Sequence, residues 1–373
     1  MLTTTIIVAV ALLAFANGAN DNFKGVATLY GSGTTSYCVA LAWATVTTAV
    51  GSLFSVWFAQ QLLVRFSGKG LIPNELVQHG EFGISVALAA GATVLLATWC
   101  GFPISTTHAL LGSMVGAALF QAEVNWAKFS TTLALPLIAS PLVAIAGTIV
   151  VYPLFRFVRV RCGVGKESCL CIGREVLELV PADGSVSALM RTEQLSISLG
   201  TAVVCRERYA GSLVGIEARP ALDALHFLSA GLVSFARGLN DTPKIAALLL
   251  LVPAIGPVGA LTLCGMLIAI GGILAARRVA ESMSHRITTM NAGQGFTANL
   301  VTGVLVILAS RWGLPVSTTH VSCGSLFGIG LINRQARWKF ILQVLLAWVT
   351  TLPVALLLGW SINTLVERIG FPF

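Results

Sequence analysis

The sequence predicts an all-α polytopic membrane protein. It would be built from two inverted repeats of about five membrane segments each, with interrupted helices and a small cytoplasmic β-rich insert between them. Three observations predict it. Hydrophobic residues make up 56% of the 373 and charged residues only 10%, against about 25% charge in a soluble domain. Two motifs each occur twice, in the same order, once in either half. One polar stretch near 160–220 separates the halves and is too long for a plain loop. The chain therefore divides into 1–158, a first membrane repeat; 159–221, the insert; and 222–373, the second repeat, inverted in the bilayer.

The elements follow in order. No Lys or Arg precedes the apolar run 5–15, and polar residues follow it without a clear cleavage site, so it reads as a first membrane segment rather than a signal peptide. Apolar spans of about 20 residues suit crossings of a hydrocarbon core about 30 Å thick. They are expected near 2–30, 37–64, 83–101, 104–121 and 131–157, and again near 222–252, 257–277, 297–310, 316–332 and 340–366. Which of them are half-helices or re-entrant hairpins is left open. An odd number of crossings per half inverts the second copy, and inverted repeats with interrupted helices at the midplane mark secondary transporters.

The first duplicated motif is Gly101-Phe102-Pro103-Ile104-Ser105-Thr106-Thr107-His108, repeated as Gly313-Leu314-Pro315-Val316-Ser317-Thr318-Thr319-His320. Pro followed by Ser-Thr-Thr and an apolar run predicts a helix N-terminus, where unpaired N–H groups and the positive dipole end favour an anion. Ser105, Thr106 and Thr107, with Ser317, Thr318 and Thr319, would make two hydroxyl cups for a tetrahedral oxyanion. The second motif is Phe15-Ala16-Asn17-Gly18-Ala19-Asn20-Asp21-Asn22-Phe23-Lys24, matched by Phe235-Ala236-Arg237-Gly238-Leu239-Asn240-Asp241-Thr242-Pro243-Lys244.

A charge deep in a membrane segment is costly and is read first as functional. Asp21 and Lys24, like Asp241 and Lys244, are three apart and can meet on one helical face. Two readings stand side by side: an internally neutralised pair that pins a broken helix, or an ammonium that takes the place of a coupling cation or touches the oxyanion. Arg237, where the first half has Asn17, suits either a bidentate oxyanion contact or a snorkelling position at the membrane edge. His108 and His320 follow the cups and suit either packing or proton relay.

Basic residues set the orientation. Residues 156–221 carry nine Lys or Arg, and Arg277, Arg278, Arg286 and Arg334, Arg337, Lys339 form two later clusters. With ten crossings all three fall on one side, cytoplasmic by the positive-inside rule, and both termini lie outside; Arg65 and Lys69 would face outward. The formal net charge of +8 thus reflects loop orientation, not nucleic-acid binding. The insert is expected to hold strands near 176–180, 195–204 and 211–217 with an Asp183-Gly184 turn. Its Cys162, Cys169, Cys171 and Cys205 match no common zinc spacing, leaving reduced structural thiols or a zinc or redox site.

Gly18-Ala19-Asn20-Asp21, Gly238-Leu239-Asn240-Asp241 and the paired P-x-S-T-T-H motifs resemble the inorganic phosphate transporter (PiT) family of anion permeases. The resemblance covers both membrane halves and omits 160–220. It implies an inverted-repeat carrier of inorganic phosphate, not an enzyme, in the plasma (inner) membrane, driven by sodium or protons and needing no cofactor. It also implies that Asn20, Asp21, Asn240, Asp241 and the Ser-Thr-Thr triplets surround the anion and its coupling cations. Where the family has a second Asn three residues after the Asp, this chain has Lys24 and Lys244. A fixed ammonium in a sodium site would remove sodium dependence there, so proton coupling is the expectation. Sulfate carried by the same machine is the alternative substrate, and a sensor with the insert as its output is the alternative of another class. Paired histidines without an HExxH arrangement or a nucleophile–base set argue against an intramembrane enzyme. Homodimers are common for such carriers.

Overall fold

The computed structural model describes residues 2–119, 121–165, 167–179, 190–201 and 214–369. The chain forms two compact units, one of Met1–Tyr152 with His226–Phe373 and one of Pro153–Leu225. The first half of the large unit runs α1 (Leu2–Asp21), α2 (Ala27–Gly31), α3 (Tyr37–Phe58), the short α4 (Gln60–Arg65) and α5 (Asn74–Val77), α6 (Gly80–Trp99) and α7 (Thr106–Ala118). It ends on α8 (Trp126–Lys128), which leads through a π-helical turn at Phe129–Ala134 into α9 (Leu135–Arg161). After the insert come α10 (Ala218–Ala246), a 3-10 segment at Ala247–Leu251, α11 (Gly256–Ala275), α12 (Arg277–His285), α13 (Ala292–Arg311), α14 (Thr318–Asn333) and α15 (Trp338–Ile369).

Seven helical stretches among the described residues are long and apolar enough to cross a membrane: α1, α3, α6, the continuous 126–161 stretch, α11, α13 and α15. Large apolar side chains such as Trp57, Leu142, Leu274 and Val349 point outward, as a lipid-facing surface requires. The expected spans near 104–121, 222–252 and 316–332 are not among these seven. The span at 2–30 breaks after Asp21, where Lys24 N–H donates to the Asp21 carbonyl at 3.1 Å and Val26 N–H to that of Phe23 at 3.1 Å. In the second copy Pro243 lies inside α10, which tightens into a 3-10 turn before ending; a proline ring removes one donor from the ladder.

α7 has 13 residues and α14 has 16, about 20 and 24 Å at 1.5 Å per residue, short of a 30 Å core. Each is the return arm of a hairpin, α6 with α7 and α13 with α14. The turn into each needs a positive φ, at Gly101 (76°) and Gly313 (65°), which only glycine adopts without strain. Extended Pro-containing segments then deliver Ser105 and Ser317 as N-caps.

The two halves are interleaved by reciprocal contacts. A Cβ on Gly18 of α1 would lie 2.0 Å from the Ile268 carbonyl oxygen of α11, and one on Gly238 of α10 would lie 2.2 Å from that of Thr48 in α3. Gly112 and Gly116 of α7 meet the backbone of α15 at Leu352 and Leu356, while Gly324 and Gly328 of α14 meet α9 at Pro141 and Ile145. Small residues four apart let helix backbones touch where lipid supplies no hydrophobic drive.

In the insert, β1 (Ser168–Leu179), β2 (Met190–Thr201) and β3 (Val214–Glu217) form an antiparallel sheet in the order β2-β1-β3. Ser168 pairs with Thr201, Leu179 with Met190, and Ile172 with Val214. The first strand begins eight residues before the expected 176–180. Its start is the stretch whose cysteines look like metal ligands in sequence: Cys169 and Cys171 alternate with exposed Leu170 on one buried face. The Asp183-Gly184 turn lies outside the described residues.

Candidate functional site

The duplicated motifs converge on one buried centre. Among the described residues the buried Asp, Glu, Lys and Arg side chains are Asp21, Lys24, Arg237, Asp241 and Lys244, and all five belong to it. They come from the break after α1 and from the last turns of α10. The hydroxyls come from the starts of α7 and α14.

Each Ser-Thr-Thr triplet divides its work. The Ser105 hydroxyl accepts the His108 N–H at 3.2 Å, and that of Ser317 accepts the His320 N–H at 3.2 Å, as N-caps do. Their oxygens therefore satisfy backbone donors and keep only the O–H for a ligand. Thr106 donates to Asp21 Oδ2 at 3.2 Å and Thr318 to Asp241 Oδ2 at 3.1 Å. Thr107 and Thr319 meet the ammonium of the opposite half: Lys244 Nζ donates to Thr107 at 2.8 Å, and Lys24 Nζ donates to Thr319 at 2.6 Å.

The lysines complete two similar oxygen shells. Lys24 Nζ is bound by the Asp21 carboxylate, by Asn20 Oδ1 at 2.8 Å, by the Ile104 carbonyl at 2.9 Å and by Thr319. Lys244 Nζ is bound by Asp241 at 3.4 Å, by the Val316 carbonyl at 2.7 Å and by Thr107, and lies 5.6 Å from the centre of the Phe66 ring. Asn20 is held by Thr98 and the Phe102 carbonyl, Asn240 by Ser310 and the Val316 carbonyl. Carboxylate, amide oxygen, backbone carbonyl and hydroxyl are the hard oxygen donors that small cations use.

The aspartate–lysine pairs form as their spacing predicts. The pairs do neutralise each other inside the protein, and each also ties its own half to the other half's hydroxyl cup. Arg237 is not at a membrane edge: it is 1% exposed. Its guanidinium donates to Asn17 at 2.8 Å, Asn22 at 3.0 Å and Thr48 at 3.2 Å, with Nε 3.9 Å from Asp241. Asn17 passes the contact on to Asp21 at 2.9 Å and Thr106 at 3.0 Å. His108 and His320 face each other with ring centres 4.7 Å apart.

Sequence reasoning missed Asn22, Thr48, Thr98, Ser310 and Phe66, which hold the charged groups. Their signal is faint: Asn22 lies in the second motif but Thr242 replaces it in the other copy, the rest lie outside both motifs, and a lone Ser or Thr in a helix often bonds back to its own helix. The cysteine set differs from a tetrathiolate site. Cys162 is an exposed free thiol, Cys169 a buried one, and Cys171 is disulfide-bonded; a disulfide sulfur offers no thiolate to zinc. Cys205 lies outside the described residues.

The chain as a whole is similar to known proteins. A protein of Pyrococcus abyssi named as a phosphate permease is 27% identical over 99% of this chain and 98% of its own length. A protein of Rhizobium meliloti named as a low-affinity inorganic phosphate transporter is 28% identical over 95% and 93%. A solved structure titled the sodium-dependent phosphate transporter superposes with a TM-score of 0.75 at 20% identity, covering 99% of this chain and all of that one. The profile of the phosphate transporter family matches residues 17–359, from the asparagine that Arg237 holds to the last helix. With the Asn-Asp and Ser-Thr-Thr segments of both halves inside that match, the chain is an integral, multi-pass membrane protein and belongs to the phosphate transporter family.

Proposed function

We propose that this protein is a secondary transporter of inorganic phosphate that works by alternating access and is proton-coupled rather than strongly sodium-dependent. One observation carries the reading: each ammonium fills an oxygen shell of the kind a coupling cation would occupy, while reaching across to the other half's hydroxyl cup. A tethered cation cannot leave with the substrate, so these two shells would not serve sodium and the driving ion would bind elsewhere.

The anion would sit between the N-termini of α7 and α14, where the hydroxyl protons of Ser105, Thr107 and Ser317 can donate to it, while Thr106, Thr318, Thr319, Lys24 and Lys244 would exchange their present acceptors for it. Asn20 and Asn240 shape the shells behind. Asp21, Asp241, Arg237, His108 and His320 couple or gate. The two halves, inverted repeats in this reading, would rock about that centre, with the insert cytoplasmic, both termini outside and the chain in the inner membrane. Homodimer formation and a redox role for the insert belong to the same proposal.

Sulfate is the second reading of substrate. The two carboxylates bear on it, because phosphate at neutral pH can donate a hydrogen bond to Asp21 or Asp241 and sulfate cannot. Uptake of labelled phosphate into proteoliposomes, with sulfate as competitor, decides between them. Accumulation of phosphate that a tenfold excess of sulfate leaves intact supports the phosphate carrier, and accumulation of labelled sulfate moves the substrate.

A further inference from the structure

The two histidines are the titratable groups of the centre that the anion and cation shells leave unused. His320 is 4% exposed. Its Nδ1 lies 3.4 Å from the Leu137 carbonyl of α9, and a carbonyl only accepts, so Nδ1 carries the proton. Nε2 is then a lone-pair base, buried and without a hydrogen-bond partner, and Nδ1 of His108 is buried and unpartnered too. Buried polar nitrogens normally have partners, so two orphans on facing rings 4.7 Å apart are a combination that packing alone does not explain. Trp348 stacks on His320 at 3.9 Å and donates its indole N–H to the Pro103 carbonyl at 3.1 Å, which holds the ring in place.

The charged surroundings are sparse. The neighbours in chain, Thr107 and Thr319, carry Lys244 and Lys24, and behind these stand Asp241, Asp21 and Arg237. The other packed elements bring no charge: α15 has none between Lys339 and Glu367, α9 none before Arg156, and α6 none after Glu81. Three buried cations and two buried carboxylates carry one net positive charge between them, which a divalent anion between the helix starts would reverse.

We infer that His108 and His320 together hold one proton, taken from the side to which the site is open, and that anion occupancy of the neighbouring cups is what loads it. The proton binds the Nε2 lone pair of His320, is shared toward His108, and is released on the other side when the anion leaves. Anion and proton are thereby linked reciprocally, each raising the other's affinity. This rests on the proton-coupled reading and names the site that reading lacks.

The test uses the full chain, with inorganic phosphate as ligand. In weakly buffered detergent solution with a pH dye, phosphate binding to wild type should take up protons beyond those bound by free phosphate, approaching one per site. His320→Gln and His108→Gln should lose that uptake. In proteoliposomes the same variants should still exchange internal for external phosphate but no longer accumulate it on a pH gradient. If wild type ignores the pH gradient, proton coupling itself fails. If wild type responds and both variants respond with the same pH profile, only the histidine assignment fails. Monodisperse His320→Gln protein that has lost exchange as well as accumulation also overturns it, since the ring would then serve the anion and not the proton.

Discussion

Removing one ammonium should convert this carrier toward sodium dependence. In Lys24→Asn the shell of Asp21, Asn20, the Ile104 carbonyl and Thr319 loses its cation, and the buried Asp21 carboxylate, 1% exposed, loses its closest counter-charge. Breaking a buried pair from one side costs about 3–5 kcal/mol. Asn17 and Thr106 still donate to Asp21 at 2.9 and 3.2 Å, so the lower end, about 3 kcal/mol, is the expectation. A free cation that fits the emptied shell stabilises by about 2.7 kcal/mol at one hundred times its dissociation constant, which recovers most of that loss. The assay is the melting temperature of purified protein in sodium chloride against choline chloride at equal ionic strength. Wild type should melt at the same temperature in both. Lys24→Asn should melt lower in choline and recover most of the difference in sodium, with phosphate uptake following the same pattern. A variant equally destabilised in both salts would refute the idea that the lysine stands in for a cation.

Further outcomes follow from the same geometry. Thr319→Val removes the acceptor for Lys24 and the donor to the Ile104 carbonyl; a loss of about 1–3 kcal/mol is expected, with Thr319→Ser restoring phosphate binding measured by calorimetry. Arg237→Gln should cut folded yield on gel filtration, because Asn17, Asn22, Thr48 and Asp241 all lose the group between them. Gly116→Val would place its Cβ 2.0 Å from the Leu356 carbonyl, and overpacking of about 1–3 kcal/mol or more should lower the melting temperature, whereas Gly165→Ala, whose Cβ would make ordinary contact 3.7 Å from the Ser168 hydroxyl, should change it far less.

The capped helix starts and the charged pairs were legible because duplication marks them: Ser105 and Ser317, like Asp21 and Asp241, recur in register. The crossing of Lys24 to Thr319 and of Lys244 to Thr107 was not, since each links residues of different halves and no spacing within a motif reports it. Arg237 shows the same gap. A lone arginine at a helix position reads equally as an edge residue, and only the meeting of α1, α3 and α10 around it shows that it is enclosed. The place of the break after α1 was hidden as well, because Asn22, Lys24 and Gly25 read as members of the duplicated motif and neither hydropathy nor spacing reports the turn they make.

The central claim is that the protein carries its own cations. Labelled phosphate uptake into proteoliposomes, with external sodium replaced by choline at fixed pH and a proton gradient imposed separately, tests it most directly. The account predicts equal uptake in the two salts and accumulation that follows the proton gradient. Uptake that collapses in choline would contradict it.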